Sequence, residues 1–175
     1  MFQLNFYPHL DVHHAAFRAY CVGALVPTLT VDAYRMLDFF VTFPFEIGIV
    51  RLRGKKLVKL ARQYEYLRPY KWSSEPLSVF LQMEEFQNSA LRTLARKGVL
   101  SRAALDDDVF LVEKIDDGQA EIYGLASEFV EERRPVIEEF LALIEKYGVS
   151  GDDGLKARTG LMFFKYDPAK NVVLD

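Results

Sequence analysis

Three histidines lie close together near the start of the sequence. His9 and His13 have the i, i+4 spacing that can place two imidazoles on one face of a helix, with His14 and Asp11 beside them. Paired imidazoles are zinc ligands. His9, however, directly follows Pro8, ahead of the predicted helix start, and no HExxH pattern accompanies the pair. Polar residues at a helix start explain the cluster better, and we predict no metal site.

Nucleophilic and acid–base chemistry find little support in the sequence. Cys21 lies in the middle of a predicted helix, between Tyr20 and Val22, so we expect it to be buried. The adjacent glutamates at 84–85 and 131–132 diverge on a helix and cannot act as paired acid and base. There is no P-loop, GxGxxG turn or GxSxG elbow. We predict a protein that is not an enzyme and has no cofactor, with a dispersed Tyr, Arg and Glu site as the open alternative.

A run of positive charge between Arg51 and Lys71 is the strongest local signal. Its only acidic residue is Glu65. Cations combined with aromatic rings can contact phosphates and stack on bases, or bind an acidic partner. The predicted partner- or DNA-binding residues are Arg51, Arg53, Lys55, Lys56, Lys59, Arg62, Arg68, Tyr70, Lys71 and Trp72. A solvated helix face beside an ordinary loop is the alternative, and both interpretations stay open.

The charge reverses further along the chain. Between Asp106 and Glu121 the sequence has seven acidic residues against Lys114, although the formal net charge of the whole chain is only −3. One face is therefore predicted to attract a polyanion and another to repel it.

Composition limits the class of protein. With 175 residues, half of them apolar, the chain is predicted to form a single domain. Aromatic residues make up 14% of it, so we expect some ring area at a partner surface. A single cysteine excludes an intramolecular disulfide. Neither a secretory signal nor an apolar run of about 18 residues is present. We expect a cytoplasmic protein without a membrane contact.

Hydrophobic periodicity and capping residues predict the elements that must position these side chains. A short strand is predicted over residues 2–7, helices over 12–25, 31–43, 55–63, 78–97 and 125–147, a β-hairpin over 109–123 with its turn at 116–118, and short strands within 161–174. Residues 45–52 fit a helix or a strand. Three helices followed by a hairpin is the element order of a winged helix. The predicted fold is α+β and mainly helical, with a winged-helix-like core at about 31–123 and helical extensions at both ends.

Several segments resemble a known bacterial family. They are Tyr34-Arg35-Met36-Leu37-Asp38-Phe39-Phe40-Val41-Thr42-Phe43-Pro44, the basic segment from Arg51 to Lys59, Pro69-Tyr70, and Phe86-Gln87-Asn88-Ser89-Ala90-Leu91 with Leu94, Gly98 and Leu100. Together they resemble the middle component of ABC three-component systems, the Lamassu-type anti-phage and anti-plasmid operons. The resemblance covers residues 34–100. It implies a non-catalytic accessory subunit that binds an SMC-like ABC ATPase and helps gate an effector, often a nuclease. No catalytic residues carry over.

The main alternative is a winged-helix transcription regulator that reads DNA through the predicted helix 78–97. Its expected outward residues are Gln82, Glu84, Glu85, Gln87, Asn88, Arg92 and Arg96. This face is more acidic at its N-terminal end than a typical recognition helix. The acidic segment 106–121, in the predicted wing, also argues against the alternative.

Overall fold

Helices make up most of the part of the chain that the computed structural model describes, which is residues 7–53, 55–70, 72, 75–114 and 120–162, with the backbone alone at 120–124. The α-helices are α1 (Val12–Leu25), α2 (Val31–Thr42), α3 (Lys56–Gln63), α4 (Pro76–Arg96), α5 (Arg102–Asp106), α6 (Ala120–Tyr147) and α7 (Leu155–Thr159). The strands are β1 (Thr28–Thr30) and β2 (Val109–Leu111). This architecture confirms the predicted mainly helical α+β class.

Side-chain caps set the starts of the first two helices, as the sequence predicts. Asp11 Oδ1 accepts a hydrogen bond from the backbone N–H of His14 at 2.7 Å, which satisfies a free donor at the start of α1. Thr30 Oγ1 accepts one from the N–H of Ala33 at 3.1 Å at the start of α2. Pro44 follows the end of α2 and cannot continue it. The predicted bounds of both helices are therefore confirmed to within a residue.

The small sheet consists of β1 and β2, and β2 also bonds to residues 99–101 on its other side. On one side β2 pairs antiparallel with β1, and the N–H of Val112 donates to Pro27 O at 2.9 Å. On the other side Leu111 O accepts a hydrogen bond from the N–H of Ser101 at 2.9 Å, and Leu100 forms a bridge with Val112. Successive residues of a strand bond to opposite sides, so residues 99–101 and β1 flank β2. The chain reverses between these segments through α5.

The predicted hairpin over residues 109–123 is wrong. β2 ends at Leu111 and pairs with the upstream strand β1, while Ala120–Tyr123, the predicted return strand, belong to α6. The predicted turn at 116–118 lies outside the described residues. A three-residue strand such as β1 is too short to give an alternating pattern, so sequence reasoning assigned β2 to the nearest downstream segment. The winged-helix core is not confirmed.

Other predicted elements have mixed outcomes. Residues 45–52, which fit either a helix or a strand, are partly covered by a 3-10 helix, Pro44–Ile49. α6 continues through Pro135 as one helix. Leu161 and Met162 are not in a strand, and the rest of the strands predicted within 161–174, like residues 2–6, lies outside the described chain. Within the described residues, no helix combines the length and apolar composition needed to cross a membrane.

Two compact units make up the chain. The first comprises Met1–Asp38 and Gln82–Glu132, and the second comprises Phe39–Leu81 and Arg133–Asp175. The bounds fall within α2, α4 and α6, so each of these helices contributes residues to both units. The single domain expected from the chain length stays a prediction.

Unit 1 contains a buried polar cluster. Arg18 donates to both carboxylate oxygens of Asp38, at 2.6 and 3.1 Å, and Gln87 Nε2 donates to Asp38 Oδ2 at 2.8 Å. Arg35 Nε donates to Gln87 Oε1 at 3.0 Å. These partners compensate the cost of removing the charges from water. The expectation that Gln87 faces outward is wrong, because its side chain is 0% exposed.

Aromatic rings fill the core of unit 2. The Phe39 ring lies against Phe43 and Phe80, with centroids 5.4 and 5.9 Å apart, and Phe40 lies 5.7 Å from Phe140 on α6. Offset and edge contacts of this kind are the favourable arrangements for rings. The contact between Phe40 and Phe140 places α6 beside the C-terminal part of α2.

Candidate functional site

The basic segment lies in unit 2, on α3 and in the chain just before it. Leu57 and Ala61 point α3 into the core, so its cations lie on the opposite, solvent face. Six of the predicted basic site residues have exposed side chains, which we call the basic surface: Arg51, Arg53, Lys55, Lys56, Lys59 and Arg62. Six of the eight cations that the sequence singled out are therefore exposed on α3 and on the chain just before it.

Most of the basic surface has no carboxylate partner in the part of the chain that the structure describes. Lys56 Nζ forms an ion pair with Glu139 Oε2 on α6 at 2.5 Å, although the Lys56 side chain is 79% exposed. Among the described residues, the other five cations form no ion pair. Their charge is therefore not neutralised within the described chain and is available to an acidic surface or to phosphates.

Two other predicted site residues, Arg68 and Trp72, are bound within unit 2. Both contact the buried Glu46: Arg68 Nη1 donates to its Oε1 at 3.0 Å, and Trp72 Nε1 donates to the same oxygen at 2.8 Å. The guanidinium of Arg68 also lies 4.4 Å over the Phe45 ring. Its hydrogen bond to Glu65 and the nearby Glu46 raise the pKa of Arg68. These contacts fix the loop that follows α3.

Exposed rings occur in the same loop. The Tyr70 side chain is 98% exposed and Tyr66 is 69% exposed, whereas Tyr64 is buried. Lys71 lies outside the described residues. Tyr70 is thus the one predicted aromatic site residue that is fully open to solvent in the described chain.

A pocket of about 500 Å³ lies beside the N-terminus of α3 in unit 2. Its apolar wall includes Ile49, Val50, Leu52, Leu57, Val58, Ala142 and Leu143. The charged residues of its described lining are Arg51, Arg53, Lys56, Lys146 and Glu139, and four positive charges less one negative charge leave these residues a net charge of +3. A pocket of this volume is in the size range of small-molecule sites.

Sequence reasoning missed Lys146, Tyr147 and Arg158, which complete and support this pocket. Arg158 Nη1 donates to Arg51 O at 2.8 Å, and the N–H of Arg51 donates to Arg158 O at 2.9 Å. The guanidinium of Arg158 also lies 4.0 Å over the Tyr147 ring and bonds Asp153 O at 2.7 Å. Nothing in the sequence pairs residues this far apart. The only local signal was Lys146, a cation in the last turn of α6.

The histidines and the cysteine are placed as ordinary structural residues. Within the described chain, no group of three or more His, Cys, Asp or Glu side chains could hold a metal ion. Burial, and secondarily the charge of Arg18, lower the pKa of His9 and of His14. Cys21 is 1% exposed, which confirms its predicted burial, and desolvation raises the pKa of its thiol to about 12.

The comparisons with known proteins identify a family. The model of the ABC-three component (ABC-3C) system Middle Component 5 matches residues 4–167. The comparisons with curated proteins and with solved structures find no match. The family match extends well beyond residues 34–100, to which the sequence resemblance pointed, and it covers most of the 175 residues. The chain therefore belongs to the family of ABC-3C system Middle Component 5.

Proposed function

We propose that this chain is a non-catalytic accessory subunit that bridges an SMC-like ABC ATPase and a nuclease-type effector in an anti-phage or anti-plasmid defence complex. Family membership supports the accessory role, because middle components of ABC-3C systems are accessory rather than catalytic. A middle component also implies other components of the same system as partners. The SMC-like ATPase, the nuclease and the bridging arrangement are the specific content of the proposal.

The observation that carries the proposal is the basic surface. Five of its cations have no carboxylate partner among the described residues, and Lys59 and Arg62 lie on the solvent face of α3. Concentrated charge of one sign steers a complementary partner and fixes its orientation. The fully exposed Tyr70 adds a ring of the type enriched at protein interfaces.

Co-expression tests the bridging role directly. The chain, its ABC ATPase and its effector are purified together and separated by size exclusion at low salt. We expect all three to elute in one peak, and the ATPase and effector to separate when the chain is omitted. If the chain elutes apart from both at low salt, or if the ATPase and effector associate equally well without it, the bridging proposal fails.

Direct DNA contact through the basic surface is part of the proposal. Phosphate contacts release counterions, so affinity for a random-sequence duplex should fall steeply with salt. Fluorescence anisotropy at low and moderate salt, with Lys59→Glu/Arg62→Glu as the variant, measures this contact. We expect the variant to bind more weakly and with a shallower salt dependence. Duplex binding by the variant equal to that of the wild type would exclude the contact.

A regulator that reads DNA through α4 receives less support. Gln87, expected to face DNA, is buried and bonded to Asp38, and Glu84 is paired with Arg35 at 3.3 Å. The side chains of Gln87 and Glu84 are therefore bonded to other residues of unit 1. Sequence-specific binding to the protein's own promoter would revive this alternative.

A further inference from the structure

The geometry points to a binding site for a compact polyphosphate in the pocket beside the N-terminus of α3. This inference goes beyond the proposed function, since it assigns a small-molecule ligand rather than a macromolecular partner. It rests on the volume of the pocket and on the cations that line it.

The charge of the lining selects a polyanion. Lys56 is paired with Glu139, which leaves Arg51, Arg53 and Lys146 without an ion pair among the described residues. Glu139 is the only carboxylate among the described residues of the lining. Guanidinium groups offer forked donors that match phosphate oxygens, and lysines add point charges. The pocket therefore favours a ligand with about three negative charges.

The volume of the pocket limits how far apart the negative charges of the ligand can lie. Acidic side chains of an extended peptide follow each other at about 3.3 Å along the chain and alternate in direction, so three of them cannot enter one small pocket together. A DNA duplex is too wide to enter about 500 Å³. A diphosphate or triphosphate group carries its charge within a few atoms and fits.

The backbone adds to this preference. α3 starts at the pocket, its N-cap residue Lys55 makes no side-chain capping bond, and its first turn has no acidic residue. No side chain of the N-cap or of the first turn of α3 therefore compensates the positive end of the helix dipole. Arg158 holds the pocket-lining segment in place through its two hydrogen bonds with Arg51. The cations are thus presented by a fixed backbone.

Calorimetry with inorganic tripolyphosphate at physiological salt tests the proposal on the full chain. We expect binding of tripolyphosphate and ATP, and binding of AMP and inorganic phosphate that is weaker by about tenfold or more, because each lost charge-assisted bond reduces affinity by about that factor. Tighter binding of ATP than of tripolyphosphate would indicate a nucleotide ligand, and equal binding would indicate recognition of the phosphates alone. Either result supports the site.

Two charge-matched variants separate the pocket from general attraction. Arg53→Gln/Lys146→Gln removes two exposed pocket cations and should weaken tripolyphosphate binding by about tenfold or more. Arg92→Gln/Lys97→Gln removes two exposed cations of unit 1 and should leave the affinity for tripolyphosphate unchanged. If the pocket double variant melts below the wild type, each single pocket variant replaces it, with the same sign of effect expected. Three results would overturn the proposal. They are an equal loss of tripolyphosphate binding in both double variants, binding of duplex DNA or of an acidic peptide in the pocket that is tighter than that of tripolyphosphate, and no tripolyphosphate binding by the wild type.

Discussion

Arg158 and Arg51 form two reciprocal hydrogen bonds, although they are 107 residues apart in the sequence. The Arg158 guanidinium donates to Arg51 O at 2.8 Å, and the Arg51 N–H donates to Arg158 O at 2.9 Å. The same guanidinium covers the Tyr147 ring at 4.0 Å. One side chain thus connects α7, the end of α6 and the segment that carries the first two cations of the basic surface.

Replacing Arg158 with lysine should loosen this connection. Lysine keeps the charge but loses the fork that bonds Arg51 O and Asp153 O together. We expect the free energy of unfolding in urea to fall by about 1 to 3 kcal/mol, the usual range for bonds to a charged donor. Arg92→Lys, at an exposed position on α4, is the matched control. No difference between the two variants would mean that Arg158 does not position this segment.

Glu46 should control the environment of the only tryptophan. Its Oε1 accepts from both Arg68 and Trp72, so Glu46→Ala leaves the indole N–H without this acceptor. We expect Trp72 emission to shift to longer wavelength and stability to fall by about 1 to 3 kcal/mol. Glu65→Ala removes a more exposed partner of Arg68, and an exposed pair contributes less than about 1 kcal/mol. An unchanged spectrum in Glu46→Ala would contradict the described contact.

Stability should fall as the pH drops below neutrality. Burial, followed by the charge of Arg18, lowers the pKa of His14 below its ordinary 6.5. The unfolded chain therefore binds the proton first, and the stability that His14 contributes is present above pH 6.5 and lost as the pH falls towards its folded-state pKa. Urea midpoints at pH 7.5 and 5.5 measure this loss. His14→Gln should reduce the difference between the two midpoints. An unchanged difference in this variant would refute the assignment.

Gly23 allows α1 to approach the end of the sheet. A Cβ atom at this position would overlap the Val112 side chain. Gly23→Ala should therefore destabilise the protein by about 1 to 3 kcal/mol, although alanine ordinarily favours a helix. Val112→Ala in the same chain removes the overlapping methyl groups. We expect the double variant to be more stable than the sum of the single effects predicts. Strict additivity in urea unfolding would show that these residues do not touch.

The sequence predicted the elements whose signals are local. Asp11 and Thr30 cap their helices, and Pro44 ends α2, because each acts within four residues along the chain. The sheet could not be predicted in the same way, because β1 has three residues and its partner is about 80 residues away along the sequence.

In the candidate site, too, the sequence predicted only the residues whose signal is local along the chain. The cations of α3 were predicted because one helical stripe carries them, whereas the pocket depends on Lys146 and Arg158, which folding brings to the first cations from distant positions. Gln87 was placed outward for the same reason: its partner Asp38 on α2 is 49 residues away. Long-range polar contacts carry no periodic signal.

Charge reversal on α3 tests whether the basic surface binds the other components of the system. The affinity of Lys55→Glu/Lys59→Glu/Arg62→Glu for the co-purified ATPase and effector is compared with that of Arg92→Glu/Arg96→Glu/Lys97→Glu, which reverses three exposed cations of unit 1. Circular dichroism confirms that both variants are folded. We expect the α3 variant to lose about tenfold or more in affinity and the control to stay near the wild type, because like charges facing each other across an interface are strongly unfavourable. Wild-type affinity in the folded α3 variant, or an equal loss in both, would contradict binding through the basic surface.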